Sequence, residues 1–148
     1  MTRRRLTALP GLLLLASAAP LLAPSAARAQ ENGESPFAVA GVEDPREVER
    51  FLSGLKRAVA DDDRARVADM VSFPLRTNLR GRAARVRGRR EFLRNYRSIF
   101  TAKVKRALAE EETGGLFANW RGVMVGDGEI WFRPSGRDGR LKIVTVNN

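Results

Sequence analysis

Apolar residues change their spacing repeatedly along this chain, and the order of those changes constrains the fold more tightly than composition does. From Val48 they recur at helical spacing, and between Leu75 and Val86 they alternate. Between Phe92 and Leu108 the helical spacing returns, and from Leu116 onward short apolar runs are broken by glycine turns. Segments with a period of 3.6 followed by segments with a period of two predict a single α+β domain, with helices packed on an antiparallel sheet.

The individual signals are local. Asp44 precedes Pro45, and Glu47 stands three residues past Asp44, a capped helix start followed by a stripe of Val48, Phe51, Leu52, Leu55 and Val59. A second helix is expected within "DDDRARVADMV", capped by Asp62 or Asp63, burying Val67, Met70 and Val71 and ending at Pro74. In "PLRTNLRGRAARVRG", Leu75, Thr77, Leu79, Ala84 and Val86 face inward around a turn near Gly81, while Arg76, Asn78, Arg80, Arg85 and Arg87 face out. A third helical segment buries Phe92, Leu93, Tyr96, Ile99 and Phe100. Thr101 then caps a continuation through Val104 and Leu108 that stops at Gly114 and Gly115. The remainder reads as three antiparallel strands, "LFANWRGVMVG", "EIWFRP" and "LKIVTVNN", with turns at "GDG" and "SGRDG".

The start of the chain carries a different message. A basic opening, an apolar stretch from Leu12 and the small residues Ala27 and Ala29 have the layout of a secretory signal over residues 1–29, cleaved after Ala29. Arg3, Arg4 and Arg5 match a twin-arginine signal only in part, so the general secretory route is the better fit, and the expected destination is the periplasm or the medium. Residues 30–43 read as a flexible leader, and residues 44–148 as the folded domain. Cleavage would lower the formal net charge from +10 to +6. Cysteine is absent, so stability must come from a core rather than from disulfides.

The segments "SFPLR", "RSIFT" and "GVMVGDGEIWF", within a helical hairpin with an acidic junction and a terminal "LKIVTVNN", resemble exported bacterial proteins of the nuclear transport factor 2-like superfamily. That resemblance covers roughly residues 44–148. It implies the cone-shaped fold also called cystatin-like or SnoaL-like, a strongly curved antiparallel sheet wrapped around the helices with a pocket at its wide end. The superfamily contains isomerases, dehydratases, cyclases and non-enzymatic binding domains, so the fold does not choose among them. Its enzymes commonly place Asp, His and Tyr in the pocket. This chain has no histidine and a single tyrosine, Tyr96, and no catalytic residue carries over by motif.

The absence of His and Cys removes the usual nucleophile systems and zinc sites, leaving carboxylate, Lys/Arg and tyrosine chemistry. No dinucleotide or phosphate-loop pattern is present, and neither a cofactor nor a metal is expected; Asp61, Asp62 and Asp63 read as helix caps. Asp127, Glu129 and Tyr96 are the candidates for a lyase or isomerase. Trp120, Met124 and Trp131, with Tyr96 and Arg121 as polar partners, are the candidates for a pocket holding a small apolar ligand. Nine arginines between Arg76 and Arg97 face one acid, Glu91, and Arg85, Arg87, Arg89 and Arg90 form a candidate patch for an anionic lipid or an acidic protein surface. Export and the lack of interleaved aromatics argue against nucleic acid. The expected function is an exported binding domain, with catalysis as the alternative; a homodimer through the open sheet face is the scaffold reading.

Overall fold

The computed structural model describes residues Glu34 to Asn148; the expected signal, its cleavage point and the first residues of the leader lie outside them. Within the described chain, four helices precede most of a six-stranded sheet. They are α1 (Pro45–Ala60), α2 (Arg64–Asp69), α3 (Arg89–Ile99) and α4 (Ala102–Glu110). The strands are β1 (Val71–Leu79), β2 (Arg82–Val86), β3 (Phe117–Asn119), β4 (Gly122–Val125), β5 (Ile130–Ser135) and β6 (Arg140–Val146), in the spatial order β2-β1-β6-β5-β4-β3. The domain is α+β, as the periodicities predict. The sheet is mixed rather than antiparallel, because β1 and β6 run parallel within it. That pairing joins segments some seventy residues apart, where local periodicity carries no information about direction.

Local chemistry fixes the element ends. Asp44 accepts a hydrogen bond from Arg46 N at 2.9 Å and Asp63 from Arg66 N at 3.0 Å, so Asp63 rather than Asp62 caps α2. Thr101 caps α4 by accepting from Val104 N. Arg80 and Gly81, with φ of 54° and 74°, form the two-residue turn between β1 and β2, a geometry whose twist suits a hairpin. Pro74 does not end α2. The helix stops at Asp69, Val71 is already strand, and Pro74 lies within β1 after a cis peptide bond. It falls where the β1–β6 ladder shifts register between Val71 and Arg76, a place where a missing N–H breaks no ladder bond.

The helices cover one face of the sheet. Leu75, Val86, Val123, Val125, Ile130, Phe132, Ile143 and Val146 point toward them and join Leu52, Leu55, Phe92, Ile99 and Leu108 in one buried cluster. Phe92 sits edge-on to Phe73, Tyr96 and Phe100, and Tyr96 stacks on Phe100 at 5.1 Å, so aromatic rings fill the space between α3 and the sheet. Phe51 reaches across from α1 to Phe132 at 4.7 Å. The leader reading needs correcting where it can be seen. Phe37, Ala40 and Val42 are buried, and the short 3₁₀ turn Ala38–Ala40 packs against β3. Burying these apolar side chains outweighs the lack of any periodic signal in the segment.

Candidate functional site

The sheet's other face is open, and strand register places one continuous row of side chains across it. Arg85 on β2 pairs with Arg76 on β1, Arg76 with Thr145 on β6, and Thr145 with Trp131 on β5. Trp131 pairs in turn with Met124 on β4, and Met124 with Phe117 on β3. The row therefore begins with two guanidinium groups and ends with three apolar side chains. Alternation along each strand extends the pattern, since Arg133 lies two residues from Trp131 on the same face.

A groove of about 760 Å³ occupies this face. Arg76, Arg85, Arg121 and Arg133 line it together with Trp120 and Trp131, and Ser72, Ser135, Thr145 and Asn147 supply neutral hydrogen-bonding groups. Among the described residues no carboxylate lines it. Among the described residues, none of the four arginines has a carboxylate oxygen within 4.0 Å, although arginines 50, 64, 89 and 140 all do.

Trp120 and Arg121 reach the groove because "LFANWRGVMVG" is two strands and not one. Register pairs Asn119 with Gly122, which makes Trp120 and Arg121 a two-residue turn. Asn119 Oδ1 accepts from Arg121 N at 2.8 Å, and Gly122 has a φ of 138° with Phe132 O so close that a Cβ would overlap it. On this turn Trp120 is 73% exposed, and its ring lies 5.1 Å from the Arg121 guanidinium, a cation-π contact that holds both side chains on one side of the turn.

The structure thus brings together Trp120, Arg121 and Trp131 from the expected pocket and Arg85 from the expected anion patch. Met124 shares the face, next to Trp131, without lining the groove. Tyr96 belongs elsewhere. Only 1% exposed, it lies in the core with its hydroxyl unpartnered, beneath the Arg64 and Lys105 cations; burial, and then the Asp62 charge, push its pKa up to about 12. Arg87, Arg89 and Arg90 surround the start of α3, where the chain supplies its own anions. Glu91 accepts from Arg87 N at 2.8 Å, and Asp69 pairs with Arg89. These carboxylates offset the unfavourable charge at the helix start without a bound anion. Arg76 and Arg133 escaped the sequence-based selection, although the period-two pattern of "PLRTN" and "WFRPS" carried the signal.

Asp127 and Glu129 occupy a second, smaller concavity with Lys103, Arg106 and Glu111. Glu129 is 5% exposed, its Oε1 lies 2.9 Å from Lys103 Nζ, and its Oε2 accepts from Asp127 N at 2.7 Å. The Lys103 ammonium holds the Glu129 carboxyl below the usual carboxylate range. Asn147 Nδ2 donates to Gly128 O at 2.7 Å and Glu111 accepts from Gly126 N, so the same contacts fasten the β4–β5 turn to its neighbours. Among the described residues no three His, Cys, Asp or Glu side chains form a metal-binding group, and no helix is long and apolar enough to cross a membrane.

No protein family, no curated protein and no solved structure matches this chain significantly.

Proposed function

We propose that this is an exported binding domain of the nuclear transport factor 2-like, cone-shaped kind, which takes an anionic partner on the open face of its sheet. The observation that carries the reading is the groove lined, among the described residues, by four guanidinium groups and no carboxylate. Arginines without counter-ions, set beside two tryptophans and several hydroxyl and amide groups, suit an anion that also offers a surface to stack on. Ladder irregularities in β1–β6 and β5–β6 support a curved sheet, because bulges bend the strands that carry them.

An apolar ligand inside the cone has less support, since Phe92, Tyr96 and Phe100 are buried against one another and Phe132 against Phe51 of α1. Glu129 gives catalysis little support either. Paired with Lys103 and kept ionised, it is a poor proton donor near neutral pH, and its concavity does not share a residue with the groove. A second copy placed face to face would oppose arginine to arginine, so an acidic occupant is the better complement.

The test is calorimetry of the domain with a panel of soluble carboxylates and phosphates, at low and at physiological ionic strength. Wild type is compared with a variant carrying Arg76→Gln, Arg85→Gln, Arg121→Gln and Arg133→Gln. Binding that weakens with salt and disappears in the variant supports the reading; equal binding by both proteins, or none by either, refutes it.

A further inference from the structure

Arg76 and Arg85 stand directly opposite each other, the arrangement in which like charges on neighbouring strands repel. Nothing acidic on the described chain relieves them. Next in the same row is Thr145, a hydroxyl, and after it Trp131, an aromatic ring. The row therefore offers, in order, paired cations, a hydrogen-bonding group and an apolar surface. Arg133 flanks Trp131 from two residues along β5, and Arg121 and Trp120 also line the groove.

Resting on the anion-binding reading above, we infer that the occupant is a small organic phosphate whose phosphoryl group lies between Arg76 and Arg85 and whose ring or apolar body extends past Thr145 onto Trp131. A carboxylate's single negative charge leaves one arginine of the pair uncompensated. A phosphate monoester carries three acceptor oxygens and a charge of about −1.5 to −2 near neutral pH, which matches the charge of the pair. The concavity favours a discrete molecule over a flat membrane surface, and its volume lies within the range of roughly 300 to 1,000 Å³ typical of small-molecule sites. Trp131 is only partly exposed, so its ring offers a fixed face rather than a mobile one.

Phenyl phosphate, inorganic phosphate and benzoate are the probes, titrated in chloride buffer while tryptophan fluorescence and heat are recorded. Phenyl phosphate is expected to bind about tenfold or more tightly than either of the others, because each of them lacks one half of the recognition. Arg76→Gln and Arg85→Gln are each expected to weaken phenyl phosphate at least about tenfold, the loss of a charge-assisted contact. Trp131→Leu should abolish the preference for phenyl over inorganic phosphate while leaving inorganic phosphate binding in place. All three side chains are at least partly exposed, and unchanged circular dichroism will show that the variants fold. Should benzoate, an acidic peptide or vesicles containing phosphatidylglycerol bind in an arginine-dependent way while phenyl phosphate does not, the anion-binding face stands and the organic phosphate falls. If no anion binds in an arginine-dependent way, both fall.

Discussion

Arg76 on β1 and Arg85 on β2 face each other across the solvent side of the sheet with no carboxylate of the described residues in reach, a repulsion that the described chain does not relieve. Arg85→Glu converts the repulsion into an attraction and is expected to stabilise the domain by roughly 0.5 kcal/mol, a typical gain for an opposite-charge cross-strand pair. Urea denaturation at low and high salt checks this, with the gain shrinking as salt screens the pair. The same substitution should remove anion binding. Stability and binding moving in opposite directions would mark the arginine pair as a functional feature rather than a solvated surface.

Much of the domain can be read from local sequence, and the failures have a common cause. Asp44 with Pro45 announces α1, Thr101 announces α4, and the alternation around Gly81 announces the first hairpin. What escapes is whatever depends on distant partners. The parallel β1–β6 pairing, the burial of Phe37 and Val42, and Pro74 inside a strand are all decided by which segment lies alongside. The Trp120–Arg121 turn was concealed differently, since neither residue is a turn former; its markers are the flanking Asn119 and Gly122. The site shows the same division. Trp120, Arg121, Trp131 and Arg85 stand out as residue types, but only register reveals that they share one face with Arg76 and Arg133.

Tyr96 can be followed without interference, because it is the only tyrosine in the chain. Burial pushes its pKa from the ordinary 10.0 up to about 12, so absorbance near 295 nm should stay flat in the folded protein until well above the pH at which the urea-unfolded chain titrates. Since the folded pKa is the higher one, the stability linked to Tyr96 is complete below pH 10 and is lost as pH rises toward 12. A folded-state titration centred near 10 would show that the ring is not held in the core.

Thr77 carries a second buried hydroxyl without a hydrogen-bond partner, on the helix-facing side of β1. Thr77→Val keeps the β-branched shape and removes the unsatisfied group. It is expected to raise stability by about 1 kcal/mol, observed as a higher denaturation midpoint with an unchanged denaturant slope. Tyr96→Phe tests the same principle at its own unpartnered hydroxyl and should be neutral or stabilising. A clear loss in either variant would indicate that an ordered water satisfies the hydroxyl.

Export and cleavage after Ala29, both proposed from the sequence, have a direct consequence for the mature chain. Its intact mass should correspond to a chain beginning at Gln30, and the loss of four arginines should lower its net charge from +10 to +6. Mass spectrometry of the exported fraction decides the point, and a full-length mass there would refute cleavage.

Lys103 and Glu129 set the expected response to acid. The Lys103 ammonium, 2.9 Å from the buried carboxylate, holds Glu129 below its ordinary pKa of 4.5, so the unfolded chain takes up a proton at a higher pH than the folded one does. The pair's contribution is therefore fully present above the ordinary value and lost as pH falls through the lower, folded one. Lys103→Ala leaves the carboxylate buried without its cation and is expected to cost roughly 1 kcal/mol near neutral pH, a modest figure because the lysine end of the pair is exposed. Glu129→Gln removes this titration, and the slope of stability against pH below 4.5 should flatten relative to wild type. Because Glu129 Oε2 also accepts from Asp127 N, the glutamine variant retains an acceptor for the turn, which separates the charge effect from loss of the turn itself. Arginine-dependent anion binding on the opposite face of the sheet should survive both substitutions, since neither residue lines the groove.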